Sequence, residues 1–298
     1  MPIGRENLIQ TLDRMRNEYQ KAIREGRHTE LIRSQGLINI LHEFVIKELQ
    51  NIVNRDWIIT EKTVYGFPKK KQQDILVQPP QDTYEMLDQL KEIRQKLRSE
   101  KKGLDMDKKG KLSKIEISIK SVEEIIAKRK KYSSIAVGPL LSINVRSQLS
   151  SIEKNYDTLF ERIFAEALNL HNRFPYMVLG YLYLLPHIGY DSEAAKSKRI
   201  ALTEQYDVEK YIWSFLSISG RKDPTDVPWK YERVCLLIVD FSKGPPEIID
   251  DMEQLAQIGL VSERFARMYS FEELSINNFF DELYKLMMAR YYLLIKGD

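Results

Sequence analysis

Gly66-Phe67-Pro68-Lys69-Lys70-Lys71-Gln72-Gln73-Asp74-Ile75-Leu76-Val77 and Leu141-Ser142-Ile143-Asn144-Val145-Arg146-Ser147-Gln148 are the stretches whose reading decides the fold. Each reads as a strand that carries polar groups into apolar surroundings. In the first, a single acid, Asp74, stands at the mouth of an Ile-Leu-Val run that ends at Gln78 before Pro79-Pro80. In the second, Ile143 and Val145 face one way and Asn144 and Arg146 the other, because strand side chains alternate with period two.

The flanking sequence alternates between helical and strand patterns. Leu8, Leu12, Met15 and Tyr19 recur at helical spacing over residues 5–25, and Gly26 is placed to end that helix. A second helix is expected over 29–53. The β-branched and aromatic run at 57–65 reads as a strand, broken by Gly66 and Pro68. Further strands are expected at 135–146, 177–185 and 231–241, and helices at 152–173, 204–218, 246–258 and 271–295. Strands alternating with helices predict an α/β fold with a mixed sheet core flanked by helices.

Residues 83–131 differ: aromatic residues nearly vanish and charge is dense. Two helices, about 83–100 and 112–131, are expected to form a hairpin inserted between the two polar strands, within a single domain spanning 1–298. Its lysines and arginines suit phosphate neutralisation, or equally a solvated helical face.

Composition narrows the class. The chain has 298 residues, 43% hydrophobic and 30% charged, with a net charge of +3. No apolar run approaches the about 18 residues of a membrane span, and charge comes too early for a secretory leader. A cytoplasmic protein is therefore expected. One cysteine, Cys235, excludes an internal disulfide and a cysteine-rich zinc site, and its apolar neighbours mark it as a core thiol. The four histidines, His28, His42, His171 and His187, lack metal spacing, and His42 reads as structural. The aromatic run from Tyr176 to Tyr190 suits core packing better than base stacking.

An acid on one strand beside a polar–x–basic pair on the next resembles the site of metal-dependent nucleases of the PD-(D/E)xK class, in its restriction-endonuclease branch. The resemblance covers roughly residues 35–80 and 135–190. Asn144-Val145-Arg146 stands where the class carries acid–x–lysine. Arg146 keeps the positive charge but cannot act as a base.

The resemblance implies a restriction-endonuclease-like fold and a type II enzyme that hydrolyses duplex DNA as a homodimer with Mg²⁺. Asp74 would be the principal metal ligand. Some enzymes of the class move the second acid to the following helix, where Glu161 and Glu166 stand. Five residues apart, they point about 140° from each other, and Glu166, among alanines and aliphatics, is the preferred one. A third acid often comes from the preceding helix, where Glu43 and Glu48 are candidates. Lys69, Lys70, Lys71, Ser147, Gln148, Ser150, Lys154 and Asn155 are the candidate DNA contacts. The neutral second strand also fits a nuclease fold that binds DNA without cutting it. A helical scaffold protein is the third reading.

Overall fold

The computed structural model describes residues 4–66, 69–78, 92–101, 113, 115–123, 139–147, 156–204 and 208–296, with backbone alone for residues 65 and 292–296. The chain divides into two units, one formed by Met1–Val77 with Leu140–Asp298 and the other by Gln78–Pro139.

The first unit is built on a seven-stranded mixed sheet. Its strands are β1 (Ile58–Tyr65), β2 (Lys70–Val77), β3 (Leu141–Ser147), β4 (Val178–Tyr190), β5 (Leu202–Glu204), β6 (Arg233–Asp240) and β7 (Glu247–Ile249). They lie in the order β1-β2-β3-β4-β6-β7, with β5 paired to β4. β3 and β6 run parallel to β4, and the other pairings are antiparallel. Parallel strands covered on both faces read as continuous apolar runs, as in Val234-Cys235-Leu236-Leu237-Ile238-Val239, which is buried throughout. Cys235 is a fully buried free thiol, as its neighbours predict.

The helices are α1 (Arg5–Glu25), α2 (His28–Arg33), α3 (Gly36–Gln50), α4 (Tyr156–His171), α5 (Ser192–Lys196), α6 (Val208–Ile218), α7 (Met252–Gln257), α8 (Glu263–Met268) and α9 (Ile276–Lys296). One apolar core joins Ile163, Ala167 and Leu170 of α4 and Tyr211, Ile212 and Phe215 of α6 to Tyr181 and Tyr183 of β4. Tyr181, Tyr183 and Tyr190 are almost fully buried and belong to the core, whereas Tyr176, which opens the aromatic run, is exposed. α3 and α9 pack on β3, β4 and β6. At Gly180 a Cβ would lie 2.7 Å from Leu283 Cδ1 and 3.1 Å from Phe279 Cζ, so the missing side chain lets α9 settle onto β4.

Of the boundaries that differ from the sequence expectation, three do so for plain physical reasons. The helix expected over 29–53 is two helices, because Gln35 takes a left-handed φ of 59° before Gly36. β4 runs past Pro186 to Tyr190, since a register shift between Pro186 and Ile188 absorbs the missing N–H. The helix expected from 246 starts at Met252, where Asp251 Oδ1 caps it by accepting from Gln254 N–H; the preceding residues form β7 instead.

A buried ionic cluster ties three elements together. Glu232 Oε1 accepts from Arg221 Nη1 and Arg290 Nη1, both at 2.7 Å, while Oε2 accepts from Leu179 N–H at 2.7 Å and lies 3.3 Å from His171 Nε2. Burial alone would push the Glu232 carboxyl up, but the His171 contact, the Arg290 charge and the Leu179 N–H outweigh it and hold it below its ordinary range.

In the second unit, residues 92–101 and 115–123 are helical. Arg98 pairs with Glu123 and Lys101 with Glu116, each at 2.6 Å, an order that belongs to an antiparallel pair. Among the described residues no helix is long and apolar enough to cross a membrane.

Candidate active site

β2 and β3 are neighbours, and their ladder pairs Val77 with Leu141, Leu76 with Ser142 and Ile75 with Ile143. Past that point side chains replace the main-chain bonds. Asp74 N–H donates to Asn144 Oδ1 at 3.0 Å, and Val145 N–H donates to Asp74 Oδ2 at 2.9 Å. On the other side of β2, the β1 ladder omits Glu61 opposite Asp74 and resumes at Lys62 with Gln73. Glu61 has φ 51° there. The backbone is therefore irregular on both flanks of Asp74, which lets its carboxylate reach in between the strands.

Arg146 Nη1 donates to Asp74 Oδ2 at 2.7 Å, the Asp74 side chain being 13% and the Arg146 side chain 44% exposed. Burial pulls the Arg146 pKa down, but the Asp74 charge, aided by Tyr181 and Glu166, more than offsets it and the net direction is up. His42, on α3, places Nε2 3.8 Å from the same Asp74 oxygen. That nitrogen is buried without a hydrogen-bond partner among the described residues. Burial lowers the His42 pKa against the opposing pull of Asp74.

Gln73, fully buried, links the strands to α4. Its Oε1 accepts from Ser142 Oγ at 2.7 Å and Asn144 Nδ2 at 3.2 Å, and its Nε2 donates to Glu166 Oε1 at 2.9 Å. Tyr231 OH donates to Ile163 O at 3.2 Å and reaches Glu166 Oε2 at 3.5 Å. Burial raises the Glu166 pKa, and the Gln73 bond and the charges of Arg146 and Lys71 only partly oppose it.

Asp74, Asn144, Arg146 and Glu166 thus join one hydrogen-bonded network. Glu161 is exposed on α4. Glu43 is exposed and pairs with Arg14 of α1 at 2.6 Å, and Glu48 is buried on α3. Lys69 and Lys70 are exposed beside the site and Lys71 is partly buried. Asn169 of α4 braces their turn, its Oδ1 accepting from Lys69 N–H at 3.1 Å and its Nδ2 donating to Lys69 O at 2.9 Å. Ser147 ends β3. Gln148, Ser150, Lys154 and Asn155 lie outside the described residues.

Gln73 and Tyr231 escaped the sequence reading. Period two sets Gln73 and Asp74 on opposite faces, and only the irregularity at Asp74 brings both into one network. Tyr231 sits 65 positions from Glu166 and carries no local signal.

Asp74 and Glu166 are the two carboxylates of this network that could take a hard divalent cation, Glu166 being held by Gln73 and facing the charges of Arg146 and Lys71. Among the described residues no three His, Cys, Asp or Glu side chains form a complete metal cluster. A hard cation held by one or two carboxylates takes its remaining ligands from water and substrate phosphate. Comparison with family models, curated proteins and solved structures gives no match.

Proposed function

We propose that this chain is a divalent-metal-dependent endonuclease acting on duplex DNA. The observation that carries the reading is the junction of β2 and β3, where Asp74 on one strand meets Asn144 and Arg146 on the next. In this reading Asp74 and Glu166 hold the cation. When bound, the cation supplies Lewis-acid chemistry, polarising the phosphate and lowering the pKa of water. Arg146, freed from Asp74, turns its fixed charge to the scissile phosphate. Burial raises the Glu166 pKa, and a cation held there would supply the counter-charge that keeps the carboxylate ionised. Gln73 and Tyr231 hold Glu166 in place, and Lys69, Lys70 and Lys71 meet the backbone phosphates. A type II restriction enzyme working as a homodimer with Mg²⁺ is the specific form the resemblance implies.

A second reading, DNA binding without cleavage, draws support from the satisfied state of Asp74. Its Oδ2 already accepts from Val145 N–H and Arg146, and Asn144 is neutral. Incubation of the purified protein with unmethylated phage DNA and Mg²⁺ or Mn²⁺ separates the two. Discrete fragments that vanish with chelator support the endonuclease. Uncut DNA that the protein nonetheless retains at low salt supports the binding protein.

A further inference from the structure

His42 approaches Asp74 from α3, and the proposed chemistry does not use it. The side chains of His42 and Asp74 are 11% and 13% exposed, and Nε2 of His42 is buried with no hydrogen-bond partner among the described residues. A buried polar nitrogen without a partner is costly, and here it stands 3.8 Å from Asp74 Oδ2. That is too long for a hydrogen bond. It does fall within the span of two ligands of one ion, on an oxygen that also accepts from Val145 N–H and from Arg146, which a bound ion would displace. Donors about 2.1 Å from a shared cation lie about 3.0 Å apart at right angles and about 4.2 Å apart when opposed.

We infer that His42 is a metal ligand, and that its imidazole and the Asp74 carboxylate form a mixed nitrogen–oxygen site for a first-row divalent cation such as Mn²⁺ or Co²⁺. The inference rests on the proposed cation site at Asp74 and deepens it, since it names the class of ion. Imidazole favours first-row transition ions, whereas Mg²⁺ prefers oxygen donors throughout. α3 supplies a rigid platform for the ring: Leu41, Phe44 and Val45 on either side of His42 are buried, so the imidazole is held toward β2. The helix expected to supply a third acid at Glu43 or Glu48 thus offers a nitrogen donor instead.

The test is metal binding by the full chain, without DNA and independent of cleavage. Mn²⁺ affinity is measured by calorimetry for the wild type, His42→Gln and Asp74→Asn, each checked for folding by circular dichroism. Mn²⁺-bound wild type is also studied by pulsed electron paramagnetic resonance for nitrogen coupling, a readout that needs no variant. The expected result is an imidazole nitrogen signal in the wild type. His42→Gln should lose that signal and at least about tenfold in Mn²⁺ affinity, with a smaller loss for Mg²⁺. Mn²⁺ binding that needs Asp74 but gives no nitrogen signal overturns the role of His42 and leaves the cation site standing. Binding unaffected by Asp74→Asn, or no Mn²⁺ binding at all, overturns both.

Discussion

Gln73 Nε2 donates to Glu166 Oε1 at 2.9 Å, and this bond ties the carboxylate of α4 to the strand that carries Asp74. The amide cannot turn over without cost, because Ser142 Oγ and Asn144 Nδ2 both donate to its oxygen. Its N–H is thereby fixed toward Glu166. Gln73→Leu keeps the volume and removes the amide, stranding a hydroxyl, an amide donor and a carboxylate. At about 1–3 kcal/mol for each unsatisfied group, a loss on the order of 3 kcal/mol is expected, measured by urea unfolding.

Asp74→Asn keeps a carbonyl for Val145 N–H but gives up the negative charge. Cleavage is expected to fall at least about 100-fold, read from initial rates on supercoiled plasmid. DNA retention at low salt should be unchanged or stronger, because Arg146 no longer has its charged partner.

Glu166 and Glu232 are expected to move stability in opposite directions with pH. The Glu166 carboxyl is raised in the fold, so its stabilising contribution is present below the ordinary carboxylate pKa and is lost as pH rises through the raised value. Glu166→Gln should therefore gain stability relative to wild type at pH 8 and lose that advantage once the pH falls below the ordinary carboxylate value, while cleavage drops. The Glu232 carboxyl is depressed, so its contribution is present above the ordinary pKa and is lost as pH falls through the depressed value. Glu232→Gln should cost on the order of 3 kcal/mol at pH 7.5, with the deficit narrowing under acid. Urea titrations of both variants across pH check the two signs.

Glu61 holds a left-handed φ of 51° in the strand beside Asp74. A non-glycine residue there is strained by about 1 kcal/mol, so Glu61→Gly should be neutral or stabilising by about 0.5–1 kcal/mol despite the greater freedom of glycine in the unfolded chain. Thermal unfolding reads the change.

Replacing Lys69, Lys70 and Lys71 together with alanine should weaken DNA binding at every sequence alike. The slope of log affinity against log salt should flatten by about 0.9 for each phosphate the variant no longer neutralises, measured by fluorescence anisotropy on a short duplex.

Local rules made much of this fold legible in advance. α1 follows directly from the spacing of Leu8, Leu12, Met15 and Tyr19 and the stop at Gly26, and the adjoining strands β2 and β3 follow from their alternation and turn residues. Three-residue strands such as β5 and β7 are too short to carry a period, and their pairing depends on distant β4 and β6. In the candidate site, Asp74 and Arg146 stand out as polar groups in apolar runs. His42 does not, because Leu41, Phe44 and Val45 around it give only a helical core pattern, and its approach to Asp74 depends on how α3 lies against β2.

The cluster around Glu232 bears on how the chain tolerates shortening. Arg290 lies near the C-terminal end of α9, yet its guanidinium supplies half of the arginine counter-charge to an acid beside the central strands. A truncation that removes Arg290 is therefore equivalent to a mutation deep in the sheet. Variants trimmed far enough to lose Arg290 should lose stability and aggregate.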